Sequence, residues 1–335
     1  MSSTQTRALI CGISGQDGSY LGKLLLDQGC EVWGSSRDAE LGRFDNLRRL
    51  KILDRVQLLS LDLKDASSIL SALRRICPTE IYSLAGQTSV GLSFEQPVET
   101  IESIAIGTLN LLEAVRLSDL DIKVYSAGSS EVFGDTGDAK ATEESPFRPR
   151  SPYGVAKNSA FWTVANYREA YDMFACTGIL SNHESPLRPY RFVTRKIIHA
   201  VARVVLGHET KLKLGNLDIE RDWGWAPEYV EAIALMLKQP IPKDILIATG
   251  KSYLLSDFAE AAFSLANMDW HDHVVLDKVL MRPTEIARSR LDPSKAAIEL
   301  GWRARYSMKE VVIMMLETEI EYLTDSNRKT RAALV

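Results

Sequence analysis

The stretch Arg7–Leu21, RALICGISGQDGSYL, decides the fold. Arg7–Ile13 is an apolar run of strand length, and Ser19–Gln28 carries leucines at 21, 24, 25 and 26, the spacing of one helix face. Between them lies Gly12-Ile13-Ser14-Gly15-Gln16-Asp17-Gly18, a GxxGxxG turn. In a strand–turn–helix setting each glycine has a physical task. One makes the tight turn, one lets the backbone approach a pyrophosphate, and one packs helix on strand. The helix N-terminus then offers free N–H groups to the phosphates. The turn therefore predicts a dinucleotide site.

Outward from this turn the same alternation continues. Gly29 ends the helix and Glu31–Ser35 reads as the second strand. Val56–Leu61, Glu80–Leu84, Ile122–Ser126 and Phe174–Leu180 are further strands. Helices are predicted at Ala66–Ile76, Ile104–Val115 and Tyr153–Tyr171. Strands alternating with helices imply parallel strands joined by right-handed crossovers, hence an α/β fold with a doubly wound parallel sheet. After Ser181 the texture changes, with prolines at 186 and 189. Helices near Val193–Leu206 and Pro227–Leu237 alternate with short strands at Lys211–Leu214 and Ile245–Ala248, and Met308–Tyr322 is an amphipathic helix. Residues 1–181 are expected to form the dinucleotide-binding domain and 182–335 mainly a smaller α/β substrate lobe, the chain crossing back between them.

Composition narrows the function. The 335 residues hold 40 basic and 44 acidic side chains, a formal net charge of −4, which speaks against a nucleic-acid binder. No run of 18 apolar residues predicts a membrane span. The start, MSSTQTRALICGI, has no secretory signal pattern, so the cytoplasm is expected. Cys11, Cys30, Cys77 and Cys176 lack CxxC or metal-ligand spacing, and no metal site is expected.

The second strand ends Gly34-Ser35-Ser36-Arg37-Asp38. A carboxylate there would hold the ribose 2′-hydroxyl of NAD. Ser36 and Arg37 instead suit the 2′-phosphate of NADP, although Asp38 keeps NAD open. Asp62 and Leu63, after the third strand, fit an adenine contact. Ser129-Ser130-Glu131 follows the fifth strand, and Tyr153 and Lys157 stand at i and i+4 on one helix face. A phenol has a reference pKa of about 10 and is a poor base at neutral pH. An ammonium and a cationic nicotinamide nearby would lower it. Tyr153 would then take a proton from a sugar hydroxyl as hydride leaves the same carbon. Hydride chemistry needs no carboxylate beside this trio, whereas removing a proton next to a new carbonyl does. Glu131 is placed for that second task; a helix cap is its other reading.

With these residues in view, the chain resembles the extended short-chain dehydrogenase/reductase superfamily and, within it, the GDP-mannose 4,6-dehydratase family. The words that carry the resemblance are GISGQDGSYL from Gly12, SFEQP from Ser93, PRSPYGVAK from Pro149 and NYREA from Asn166. They continue with NHESP from Asn182, FVTRKI from Phe192, LGNLD from Leu214, RDWG from Arg221, Arg282-Pro283 and Leu300-Gly301-Trp302. The resemblance implies a Rossmann sheet and a lyase that oxidises C4 of a GDP-hexose, eliminates water across C5–C6 and returns the hydride to C6. It implies Ser129 on the substrate's 4-hydroxyl, Glu131 as C5 base, Tyr153 as C4 base and Lys157 orienting the cofactor. It carries cofactor contacts to Ser14, Gln16, Asp17, Leu84, Ala85, Gln87, Tyr125, His183 and Arg188, besides the glycines. Substrate contacts fall on Ser89, Asn182, Lys196, Arg221, Arg282 and Glu285. The segment after Arg37 is shorter than in the family, where it helps build a tetramer, so a homodimer is expected with a tetramer as the alternative. Leu187, Pro189 and Trp225 depart from the family's Arg, Gly and His. These departures leave open a reductase, epimerase or dehydratase on a related GDP-sugar, such as a 4-keto-6-deoxyhexose or GDP-heptose. A third reading is a non-catalytic NADP binder, against which the intact Ser129, Glu131, Tyr153 and Lys157 argue.

Overall fold

A computed structural model describes residues 5–208 and 211–333. Residues 1–4, the start of the polar lead into the first strand, lie outside the described residues. The chain runs β1 (Arg7–Cys11), α1 (Gln16–Asp27), β2 (Glu31–Ser36), α2 (Asp45–Arg49), β3 (Gln57–Ser60), α3 (Ala66–Ile76) and β4 (Glu80–Ser83). It continues with α4 (Val90–Glu95), α5 (Pro97–Ile101), α6 (Gly107–Leu117), β5 (Lys123–Ala127), α7 (Pro152–Tyr171) and β6 (Ala175–Leu180). Next come β7 (Asn182–Glu184), α8 (Val193–Val205), β8 (Leu212–Leu214), β9 (Glu220–Trp225), α9 (Ala226–Leu237) and β10 (Ile245–Ile247). The last elements are β11 (Ser252–Leu254), α10 (Leu255–Ser264), β12 (Val274–Leu276), α11 (Ser294–Glu299) and α12 (Met308–Ala333).

Seven parallel strands form the main sheet in the order β10-β6-β5-β4-β1-β2-β3. Strand periodicity builds its two faces. Ala8 and Ile10 of β1 join Leu21 and Leu25 of α1 and Ile233 of α9 in one core. Leu9 and Cys11 join Leu73 of α3, Leu112 of α6 and Val164 of α7 in the other. The strand order reverses between β1 and β4, and ligands of such sheets bind in the crevice at that switch point. A smaller sheet, β11-β9-β7, and a β12-β8 pair carry a third core in which Ile198 of α8, Phe258 of α10 and Met315 of α12 meet.

Three expectations change. Helix α1 begins at Gln16, not Ser19, so the glycine turn is shorter and Gln16 and Asp17 belong to the first helical turn. The apolar helix expected from Ile104 is the later part of a longer run. Pro97 opens that run at the first helical turn, and a π-helical segment, Glu102–Ile106, leads into α6. The strand expected at Ile245–Ala248 in the second lobe is the edge of the main sheet, paired parallel with β6, and α9 covers that sheet beside α1. The apolar patterns of this strand and this helix suit either lobe equally well, and periodicity does not report strand order.

Candidate active site

The glycine turn sits where β1 and β4 diverge. Gly12 has φ +89°, a left-handed conformation, and a Cβ there would lie 3.0 Å from the Ala85 backbone at the end of β4. A Cβ on Gly18 would run into the Gly12 carbonyl, which is why helix and strand pack so closely here. Ser14 and Gly15 are exposed at the N-terminus of α1. This is a backbone cradle that fits a pyrophosphate.

The side chains of the next two residues face the second lobe. Gln16 Nε2 donates to the His183 carbonyl (3.1 Å), and Ser185 Oγ donates to Gln16 Oε1 (2.7 Å). Asp17 Oδ2 lies 2.9 Å from His183 Nε2, and His183 Nδ1 lies 2.7 Å from the Ser181 carbonyl. Arg188 Nη1 donates to the His183 carbonyl at 3.0 Å. Burial alone would raise the Asp17 carboxyl, but the His183 ring beside it holds it below its usual value, and the same pairing holds His183 up. The structure thus gathers Gln16, Asp17, His183 and Arg188 in one network. Ser185 belongs to it too, and only spatial neighbours reveal that.

Just past the end of β2, Arg37 is exposed and lies 3.6 Å from Glu99, which also pairs with Lys64 at 3.0 Å. Glu99 at this corner is long-range in sequence and has no local signal. Asp38 Oδ1 accepts the N–H groups of Glu40 and Leu41, and so is committed to its own turn. Asp62 accepts from the Lys64 N–H, while the Leu63 side chain is buried in the core. Gln87 Nε2 donates to the Ser89 carbonyl, and Ser89 Oγ caps α4 by accepting from Leu92 N–H.

The catalytic candidates converge from two elements. Ser129 begins a short 3₁₀ turn after β5, its Oγ accepting the Glu131 N–H at 3.3 Å. Ser151 caps α7 by accepting the Gly154 N–H (3.0 Å), with Pro152 in the first turn, which sets Tyr153 and Lys157 one above the other. Lys157 Nζ donates to the Ala127 carbonyl at 2.6 Å and lies 5.8 Å from the Tyr153 ring centre. Burial pushes the Tyr153 phenol up to about 12, with Ser129 only partly offsetting it. Burial also pushes the Lys157 ammonium down to about 8. Burial therefore outweighs the lowering that Lys157 gives the phenol. Both side chains are deeply desolvated, and burial dominates.

Glu131 faces the second lobe. Its Oε1 lies 4.0 Å from Arg221 Nε, and burial raises its carboxyl against the partial offset of Arg221 and Arg282. Glu285 Oε1 accepts from Arg221 Nη2 (3.0 Å) and Arg282 Nη1 (3.1 Å). The Arg221 guanidinium also donates to the Ile286 carbonyl at 2.8 Å. Two clustered guanidiniums beside a buried carboxylate can take a diphosphate on one side and a reacting carbon on the other.

Other candidates stand elsewhere. Tyr125 is a correction. Its side chain is fully buried in the core, 6.2 Å from the Tyr82 ring, and presents no surface to a cofactor. Strand alternation turns it inward. Asn182 is half-buried at the head of β7, and Lys196 stands exposed on α8. Leu187 and Trp225 line a separate cleft of about 560 Å³ with Tyr20, Arg49, Met314 and Tyr322; none of the four catalytic candidates lines it.

The profile of the GDP-mannose 4,6 dehydratase family matches residues 9–315. GDP-mannose 4,6 dehydratase 1 of Arabidopsis thaliana is 45% identical, with 94% of this chain and 90% of that protein covered. The Homo sapiens GDP-mannose 4,6 dehydratase is 40% identical over 94% of this chain and 92% of its own. Among solved structures, a Thermus thermophilus UDP-glucose 4-epimerase in complex with NAD superposes with TM-score 0.82 at 26% identity, covering 94% of this chain and 99% of that one. A Pseudomonas aeruginosa protein complexed with NADPH superposes at 0.77 and 22% identity, covering 95% and 98%, and shares the fold. Profile, relatives and fold agree over nearly the whole length, and the chain belongs to the GDP-mannose 4,6-dehydratase family.

Proposed function

We propose that the chain is a hydro-lyase that converts GDP-mannose to GDP-4-keto-6-deoxy-mannose with NADP as a cofactor regenerated each turn. The observation that carries this reading is Glu131, a buried carboxylate set between the Ser129–Tyr153 pair and the Arg221–Glu285–Arg282 cluster. A carboxyl raised by burial suits a group that must both take and return a proton near neutral pH. Ser129 orients the 4-hydroxyl, Tyr153 removes its proton, and Lys157 supplies the positive charge that the buried phenol needs. Glu131 removes the C5 proton once C4 is a carbonyl and passes it to the departing C6 hydroxyl, which leaves as water; Glu131 then takes up a solvent proton and delivers it to C5. Arg221 and Arg282 hold the diphosphate. A nicotinamide held by the glycine turn and Lys157 would supply the hydride chemistry, as acceptor of the C4 hydride and donor of it at C6. Each product molecule should therefore form without net loss or gain of NADPH. Product formed only in step with NADPH oxidation would support a reductase instead.

The preference for NADP rests on Arg37, exposed and loosely paired, and on an Asp38 carboxylate already spent on its own turn. Removing a charge-assisted hydrogen bond costs roughly 1.5–3 kcal/mol. Arg37→Ala should thus weaken NADP about ten- to a hundredfold and leave NAD nearly unchanged. Equal losses for both cofactors in a binding titration would reject this assignment.

Val98, Ile106, Leu109, Val155 and Trp162 are exposed on the helices α5, α6 and α7 and the π-helical segment between α5 and α6. This apolar surface supports a C2 homodimer built on α6 and α7. Sedimentation at micromolar protein should give the mass of two chains; a single-chain mass would reject it. The four cysteines are unpaired, and no described helix is long and apolar enough to cross a membrane. We place the enzyme in the cytoplasm.

A further inference from the structure

We propose that Asp222 is a positioning residue, a single buried carboxylate that ties together both places where the chain passes from the large sheet to the small one. The first passage is Ser181, the one residue between β6 and β7. Its Oγ donates to Asp222 Oδ1 at 3.1 Å. The second passage leaves β10 for β11. There the Thr249 N–H donates to Asp222 Oδ1 (3.1 Å) and the Gly250 N–H to Asp222 Oδ2 (2.8 Å). Gly250 takes φ +78°, which aims its N–H inward. These partners are neutral donors, and Asp222 is 1% exposed. A buried carboxylate without a cation is costly, but three donors converging on two oxygens need the lone pairs that a carboxylate supplies.

The tie connects to both halves of the site. On β9, Asp222 follows Arg221, and successive strand residues point to opposite faces. One face carries the guanidinium next to Glu131 and the other carries the tie. Ser181 Oγ also meets the Tyr229 hydroxyl at 2.6 Å, and the His183 ring stacks on Tyr229 with centres 4.7 Å apart. The Ser181 carbonyl holds His183 Nδ1, and His183 Nε2 meets Asp17 in the glycine-turn helix. The contacts therefore run without a break from the strand bearing Arg221 to the dinucleotide cradle. Asp222 fixes how the substrate strand sits relative to Glu131 and Tyr153. This inference rests on the dehydratase reading of the same site.

The test compares Asp222→Asn and Ser181→Ala with the parent. Three quantities are read: dissociation constants for NADP and for GDP, kcat with GDP-mannose, and amide hydrogen exchange of residues 245–254. In Asp222→Asn the amide turns a donor toward the Gly250 N–H. A misplacement of about 1 Å at the reacting atoms costs on the order of a hundredfold. Asp222→Asn should lower kcat about 10- to 100-fold while both dissociation constants stay near parental values. Exchange at Thr249 and Gly250 should accelerate. Ser181→Ala should show the same split with a smaller loss. A role confined to folding would instead lower ligand binding and activity together, and that result overturns the proposal, as does parental kcat in Asp222→Asn. If Asp222→Asn does not fold, parental kcat in Ser181→Ala overturns it. A parent that does not dehydrate GDP-mannose rejects the functional reading; the exchange at Thr249 and Gly250 then decides the tie by itself.

Discussion

Replacing Glu131 by Gln lowers dehydration of GDP-mannose by about 10²–10⁴, the usual contribution of a positioned general base, while reduced cofactor still forms on the enzyme. The two halves of that expectation come from different residues. Oxidation at C4 is the step proposed for Tyr153 and Lys157, which the substitution leaves in place. Elimination requires removal of the C5 proton, the step proposed for Glu131, a buried carboxylate 4.0 Å from Arg221. The amide keeps the shape and removes the base. The variant should therefore show a reduced-nicotinamide absorbance that persists, and no solvent deuterium at C5. A Gln variant that dehydrates at the parental rate would leave Glu131 as a buried neighbour of Arg221 and nothing more.

Tyr153→Phe should fail one step earlier, with no reduced cofactor at all. Lys157→Met separates electrostatics from the phenol itself. Burial pushes Tyr153 up to about 12, and Lys157, pushed down to about 8, remains cationic at neutral pH. A cation beside a phenol favours its anion, so removing Lys157 raises the phenol further. The sign follows directly. The acid limb of the single-turnover rate of cofactor reduction moves to higher pH, and the rate at pH 7 falls by about 10²–10⁴. An acid limb that stays in place in Lys157→Met would show that the lysine only anchors the cofactor.

The parts of this site legible in sequence are those set by local spacing. Gly12, Gly15 and Gly18 follow a strand and precede a helix, and Tyr153 and Lys157 stand one helical turn apart. Both constraints act over a few residues. Arg221, Arg282 and Glu285 came from a family resemblance rather than from spacing, because they meet only through the packing of β9 against a distant loop. Glu99 beside Arg37, and Asp222 between Ser181 and Gly250, carry no local signal for the same reason. The place of β10 beside β6 was hidden because strand order follows from tertiary packing, not from hydrophobic alternation. For Tyr125 the strand pattern is legible in sequence, but the face its ring takes is not. Its ring points into the core with Tyr82, while the strand ends nearby face the crevice. The burial that raises the Tyr153 phenol has no local signal, since burial is a property of the folded chain.

The most direct test of the dehydratase reading is a mass measurement in deuterated water. The protein is incubated with GDP-mannose and a catalytic amount of NADP, with no reductant added, and the sugar nucleotide is followed over many turnovers. The expected product has lost one water and gained one solvent deuterium at C5, with the hydrogen at C6 delivered from C4 of the same molecule and the cofactor pool unchanged. GDP-mannose recovered intact, or a product that appears only as NADPH is consumed, would contradict it.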